Sequence, residues 1–131
     1  MNLEGGNVLG VGVDLAEVAR IRAAHARHGA AFLDKVFTAA EQKLCLAKAD
    51  PYPSLAARFA AKEAASKAFG TGVGAELALT SVGVLSGPAG EPVVELDERA
   101  RALLAARGAT RLLVSLTHTD ELAQAFAVLV R

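Results

Sequence analysis

Two hydrophobic patterns alternate along this chain, one with the period of a strand and one with the period of a helix. Val8 to Val13 is a short apolar run rich in β-branched residues that stops at Asp14. It predicts a strand whose glycines permit close backbone approach and whose exit carries a carboxylate. Leu15 to about His28 predicts a helix stopped by Gly29. In F-T-A-A-E, Thr38 and Glu41 form a capping box, so a second helix runs from about Ala39 to Ala49. Asp50-Pro51-Tyr52-Pro53 breaks it. Ser54 then caps the strongest helix, Leu55 to Phe69, a nearly unbroken run of good helix formers that ends at Gly70. Gly70 to Gly74 is a flexible loop. Ser81–Leu85 and Pro92–Leu96 read as strands with a hairpin-like connection, and Asp97 caps a helix from Glu98 to Arg107. Arg111–Leu116 and Gln124–Val130 read as two further strands joined by T-H-T-D-E. The pattern predicts one α+β domain.

Composition narrows the function classes. With 131 residues, 53% hydrophobic and 21% charged, the chain supports a packed core and is not of disordered composition. Aromatic residues are only 5% and much of the apolar fraction is Ala, so the core is expected to combine close-packed helices with aliphatic strands. A small domain with an Ala-rich interior gains from burying more surface in an oligomer. Fourteen Lys and Arg balance 14 Asp and Glu, which argues against a nucleic-acid binder relying on a global basic field. Cys45 has no partner for an internal disulfide, and no Cys/His cluster has zinc spacing. No apolar run approaches the roughly 20 residues needed to cross a bilayer. A soluble cytoplasmic protein without nucleic-acid or membrane partners is the expectation.

Three polar groups stand out against apolar surroundings. Asp14 leaves a buried-looking strand, where a carboxylate is costly unless paired, hydrogen-bonded or bound to a metal; its bland role is a helix N-cap. Arg58, Lys62, Glu63, Ser66 and Lys67 sit on an otherwise Ala-rich helix, with Glu63 and Lys67 at i, i+4. They form either a solvated face or a site holding a cation at Glu63 and anionic groups at the bases. His118 follows an apolar strand, placed either to activate a hydroxyl or simply to bond to the backbone. A hard cation such as magnesium takes oxygen ligands, commonly one or two carboxylates plus substrate phosphates. Asp14 and Glu63 supply such a pair, and Arg58, Lys62 and Lys67 supply phosphate-binding charge. No nucleotide-binding glycine signature is present. Composition and spacing stop at a possible phosphate- and metal-handling site.

The chain nevertheless resembles a known family through nearly all its length. Gly12-Val13-Asp14-Leu15-Ala16-Glu17-Val18-Ala19-Arg20-Ile21 matches G-x-D-[LI]-x-x-[VI]-x-R-I, and Phe59 to Gly70 matches F-A-A-K-E-A-x-x-K-A-x-G. Phe37–Glu41, Gly90-Glu91-Pro92 and Ser115–Thr119 match three weaker motifs. These are the motifs of the holo-[acyl-carrier-protein] synthases, the small trimeric class of 4′-phosphopantetheinyl transferases. The stretch Lys48 to Ser54, with two prolines, has no counterpart in them.

The resemblance implies a 4′-phosphopantetheinyl transferase fold, a small antiparallel sheet packed with helices, assembling as a homotrimer with active sites at subunit boundaries. It implies transfer of phosphopantetheine from coenzyme A to a carrier-protein serine, with magnesium as cofactor held by Asp14 and Glu63. Glu63, Lys67 and His118 would be catalytic. Arg58, Lys62, Lys67 and the Gly70 and Gly72 loop would meet coenzyme A. The partner would be an acidic acyl carrier protein, docking on Arg20, Arg22 and Arg27 of the first helix, where Ala23 and Ala24 leave room. The strands at Leu112–Leu116 and Phe126–Val130 are the expected threefold core. A catalytically silent carrier-binding module is the competing reading, against which the intact Asp14, Glu63 and Lys67 weigh.

Overall fold

A computed structural model describes residues 1–74 and 76–131. Strand β1 (Val8–Glu17) is followed by helices α1 (Val18–His28), α2 (Ala30–Val36), α3 (Ala39–Leu46) and α4 (Tyr52–Phe69). A 3₁₀ turn at Leu79–Ser81 leads into strands β2 (Val82–Ser86) and β3 (Pro92–Leu96), then α5 (Glu98–Ala106), β4 (Arg111–His118) and β5 (Leu122–Val130). The α+β expectation is met: β1, β5 and β4 form an antiparallel sheet with β5 in the centre, and β2 pairs with β3.

The main departures from the expected elements lie at β1 and α4. β1 continues to Glu17 because Asp14 to Glu17 pair with Ala125 to Leu122 of β5. Asp14 is therefore a strand residue and not a helix cap, and α1 begins only at Val18, whose amide donates to the Glu121 carbonyl. Helix α2 was not expected; its seven residues bury Leu33 and Val36 and lack a side-chain cap. The prolines begin α4 instead of merely ending α3: Pro51 is its N-cap and Pro53 lies in the first turn, where a missing amide hydrogen costs little. Ser54 is accordingly a buried residue of α4, not its cap. The expected caps at Thr38 and Asp97 are present, with reciprocal Thr38–Glu41 bonds of 3.0 and 3.1 Å and the Ala100 amide 2.9 Å from Asp97 Oδ1.

Helix α4 is the centre of the core. Ala56, Ala57, Ala60, Ala61, Ala64 and Ala65 are all buried. The sheet meets α4 with equally small residues, Ala16, Ala123, Ala125 and Ala127. β1 comes closest: a Cβ at Gly10 would overlap the Ala68 carbonyl oxygen, and one at Gly12 would overlap that of Ala64 and lie 2.9 Å from Lys67 Cβ. Glycine is required there by proximity, not by its dihedral freedom. The other face of the sheet exposes Val13, Leu15, Leu113, Leu122 and Phe126, the period-2 complement of the buried alanines.

Gly12→Ala should force β1 and α4 apart and destabilise the fold by about 3 kcal/mol, as over-packing does. Denaturant unfolding checks this; an unchanged midpoint would show that the contact is looser than described.

Candidate active site

The β1–α4 contact brings a strand carboxylate to the side of a helix. Lys67 Nζ donates to the Val13 carbonyl at 2.9 Å and to Asp14 Oδ1 at 3.2 Å. The Lys67 side chain remains about half exposed and that of Asp14 is 20% exposed. Glu63 lies one turn before Lys67, partly buried. Burial, then the nearby Asp14 charge, pushes the Glu63 carboxyl above its ordinary value, and Lys67 opposes this. Ser66 does not enter the site, since its hydroxyl donates back to the Glu63 carbonyl at 2.7 Å. Asp14, Glu63 and Lys67 are thus gathered at one junction, two acids and one base.

This set suits a hard divalent cation. Two carboxylates that repel one another gain from a positive charge between them, and magnesium ordinarily completes its shell with phosphate oxygens and water. Among the described residues no group of three His, Cys, Asp or Glu side chains is gathered, so any such ion would depend on ligands from outside the protein.

The remaining helix bases do not join this junction. Lys62 is enclosed, 1% exposed, with Nζ 2.5 Å from Glu41 Oε1 and 2.6 Å from the Val82 carbonyl. Burial pushes its ammonium down while Glu41 pulls it up. The expectation that Lys62 meets a coenzyme A phosphate is therefore corrected: its charge is spent inside the protein. Arg58 is also largely buried, but differently. Nε donates to the Val84 carbonyl at 2.9 Å, Nη1 to Ser54 Oγ at 2.9 Å and Nη2 to Ser86 Oγ at 3.3 Å. Held this way, Arg58 lines a polar cleft of about 220 Å³ with Lys48, Ser54, Ser86, Ser115 and His118.

His118 ends β4 and does not sit in a loop. β5 separates it from β1, so two strand spacings, roughly 10 Å, lie between it and the Asp14 strand. Within one chain His118 belongs with Arg58, not with the carboxylates. Gly70 is the left-handed C-cap of α4 (φ 79°), and Gly72 also has positive φ (67°); among the described residues none lies within 4 Å of where a Cβ would stand at either.

On α1, Arg20, Arg22 and Arg27 are exposed. Arg20 borders an apolar groove of about 190 Å³ formed with Leu15, Ile21, Ala24, Phe32 and Phe59. Arg22 is engaged, 3.3 Å from Asp50 and stacked 4.9 Å over the Tyr52 ring, while Tyr52 also bonds His25 at 2.8 Å. Sequence reasoning missed this clasp, and it missed Glu41 as the partner of Lys62. The F-T-x-x-E box marked Glu41 only as a cap; the one carboxylate caps α3 and neutralises α4.

Fold and site together define a small α+β protein with an Asp–Glu–Lys centre where a strand crosses a long alanine helix. A model of the 4′-phosphopantetheinyl transferase superfamily matches residues 10–127, and the chain belongs to that family. It is 48% identical over 118 residues to a holo-[acyl-carrier-protein] synthase of Chlorobaculum parvum, covering 90% of this chain and 95% of the relative. The fold superposes on the crystal structure of holo-[acyl-carrier-protein] synthase from Neisseria meningitidis with a TM-score of 0.88 at 28% identity, covering 95% and 99% of the two chains. It also matches the Helicobacter pylori holo-[acyl-carrier-protein] synthase in complex with coenzyme A, with a TM-score of 0.80 at 29% identity over 91% and 98%.

Because Glu63 holds its proton more tightly in the folded chain than in the unfolded one, its carboxylate costs stability once pH rises past its ordinary range and costs nothing below it. Glu63→Gln should therefore raise the melting temperature of the metal-free protein near about pH 7, with the gain vanishing as pH falls below the ordinary carboxylate range. Melting curves across pH check this, and a variant that melts lower at neutral pH would contradict it.

Proposed function

We propose that this chain transfers the 4′-phosphopantetheine group of coenzyme A to a serine of an acidic acyl carrier protein, with magnesium as cofactor. The observation that carries the reading is the gathering of Asp14, Glu63 and Lys67 at the β1–α4 contact, in a chain closely related to holo-[acyl-carrier-protein] synthases. Asp14 and Glu63 would hold the cation, which when bound neutralises pyrophosphate charge. Lys67, half exposed beside them, turns its ammonium from Asp14 toward the transferred phosphate. The serine oxygen bonds to the β-phosphorus, the anhydride bond breaks and adenosine 3′,5′-bisphosphate leaves. The serine proton passes to His118 or, through water, to Glu63. Positioning and charge neutralisation supply most of the rate in such a transfer.

Arg58 supplies a preorganised cation for another coenzyme A phosphate, and the Gly70–Gly72 loop leaves open space for the nucleotide. A homotrimer reconciles the two halves of the site: the Arg58–His118 cleft of one subunit would face the Asp14–Glu63 centre of its neighbour. The exposed Val13, Leu15, Leu113 and Phe126 face of the sheet is an apolar surface of the kind that self-association covers. The carrier would dock on α1, with its acidic helix against Arg20 and Arg27 and an apolar side chain in the groove beside Arg20. No described helix is long and apolar enough to cross a membrane, and Cys45 is a buried free thiol. Both accord with a cytoplasmic enzyme.

Intact-mass spectrometry of an apo-carrier incubated with the chain, coenzyme A and magnesium should show the gain of one phosphopantetheine group, abolished by EDTA and reduced at least about 10²-fold by Asp14→Ala. The rate should fall with added salt, more steeply in the native chain than in Arg20→Glu. A carrier that an active transferase modifies but this chain leaves unchanged would overturn the reading.

A further inference from the structure

Helix α4 has an unusual problem of register. Seven of its thirteen buried residues are Ala, on several faces at once, and the sheet against it presents Gly and Ala. Ridges of equal small residues fit their grooves nearly as well after a rotation or a shift along the axis, so the alanine faces by themselves discriminate weakly between settings. The position of Glu63 does not tolerate such slack: a rotation of one residue, about 100°, would carry it off the Asp14 side.

Besides Arg58, whose guanidinium bonds to Val84 and Ser86, the helix carries a second buried polar feature that fits in only one way. Lys62 Nζ is held by Glu41 Oε1 at 2.5 Å and the Val82 carbonyl at 2.6 Å. Glu41 in turn accepts from the Thr38 amide at 3.0 Å and the Val84 amide at 2.9 Å. One largely buried cluster therefore ties α4 to both the start of α3 and the backbone of β2. Net stability is a poor explanation for such a pair, since apolar replacements of buried ion pairs are often neutral or stabilising; specifying register is the best-attested use.

We propose that the Glu41–Lys62 pair is a positioning element of the active site, fixing the rotation and axial setting of α4 so that Glu63 and Lys67 face Asp14. Lys62 touches no substrate; it acts through the residue that follows it. On the opposite side of the helix, the Lys67 bonds to Val13 and Asp14 complete a two-sided clamp whose buried half is the pair. The kinetic test of this inference rests on the transferase reading, whereas its structural test does not.

The informative variant is Glu41→Gln/Lys62→Met, which removes both charges while the Gln oxygen still accepts from the Thr38 amide, at the loss of the Val84 amide's acceptor. It is expected to melt within about 5 °C of the native chain, with kcat for phosphopantetheine transfer down about 10²-fold and KM for coenzyme A changed less than about threefold. In the metal-free protein, amide NMR signals of Asp14 and of Glu63 to Lys67 should shift together. A double variant with native turnover and native signals at these residues would overturn the proposal. Failure of the double variant to fold would overturn it too, by making the pair a condition of folding rather than of register. Lys62→Arg, which keeps the charge but lengthens the arm, gives an independent reading: a folded protein with lowered kcat supports positioning, and native kcat speaks against it. If the native chain transfers nothing, the transferase reading fails while the NMR comparison still decides the register.

Discussion

Backbone meets backbone where β1 crosses α4, and the rest of the structure is arranged around that contact. Gly10 and Gly12 offer no Cβ, and Ala64 and Ala68 receive them with their carbonyl oxygens. Because the two chains touch, the residues beside the contact are close as well: Asp14 lies two positions after Gly12, and Glu63 immediately precedes Ala64. A larger residue at either glycine would separate the carboxylates along with the backbones. The candidate site thus lies beside a contact in which two backbones touch, which ties its carboxylates to rigid elements.

The two lysines of α4 show how burial divides one residue type between two duties. Lys62 and Lys67 are five positions apart. One is enclosed, with bonds to Glu41 and Val82; the other is half exposed, with bonds to Val13 and Asp14. Arg58 lies between these extremes, its stem buried and its guanidinium anchored by a carbonyl and two hydroxyls at the edge of a cleft. Fixed cations of this kind attract phosphate without having to be ordered at the moment of binding.

Much of this was legible in the order of residues. The strand–helix alternation and the Thr38 and Asp97 caps follow from periodicity and capping chemistry, whereas Asp14, Glu63 and Lys67 as one set were implied by the family resemblance. What escaped was decided by tertiary contact. β1 reaches Glu17 because β5 offers partners for Asp14 to Glu17, which no local pattern records. Pro51 and Pro53 read as a break, yet the first turn of a helix tolerates proline, so the break became the start of α4. Lys62 looked like a phosphate ligand because a lysine on a polar helix position reads the same whether it faces solvent or Glu41. The pattern marked His118 as a candidate without saying how far it stands from the carboxylates, and the strand order puts β5 between them. The proposed homotrimer would account for that separation, with the apolar outer face of the sheet as the surface that a neighbour would cover.

Manganese(II) in place of magnesium gives the most direct reading of whether Asp14 and Glu63 share one cation. Titrated into the isotope-labelled chain with coenzyme A while amide signals are followed by NMR, the paramagnetic ion should broaden Asp14, Glu63 and their immediate neighbours first. Early broadening elsewhere, with Asp14 and Glu63 left sharp, would contradict the assignment of the β1–α4 junction as the metal centre.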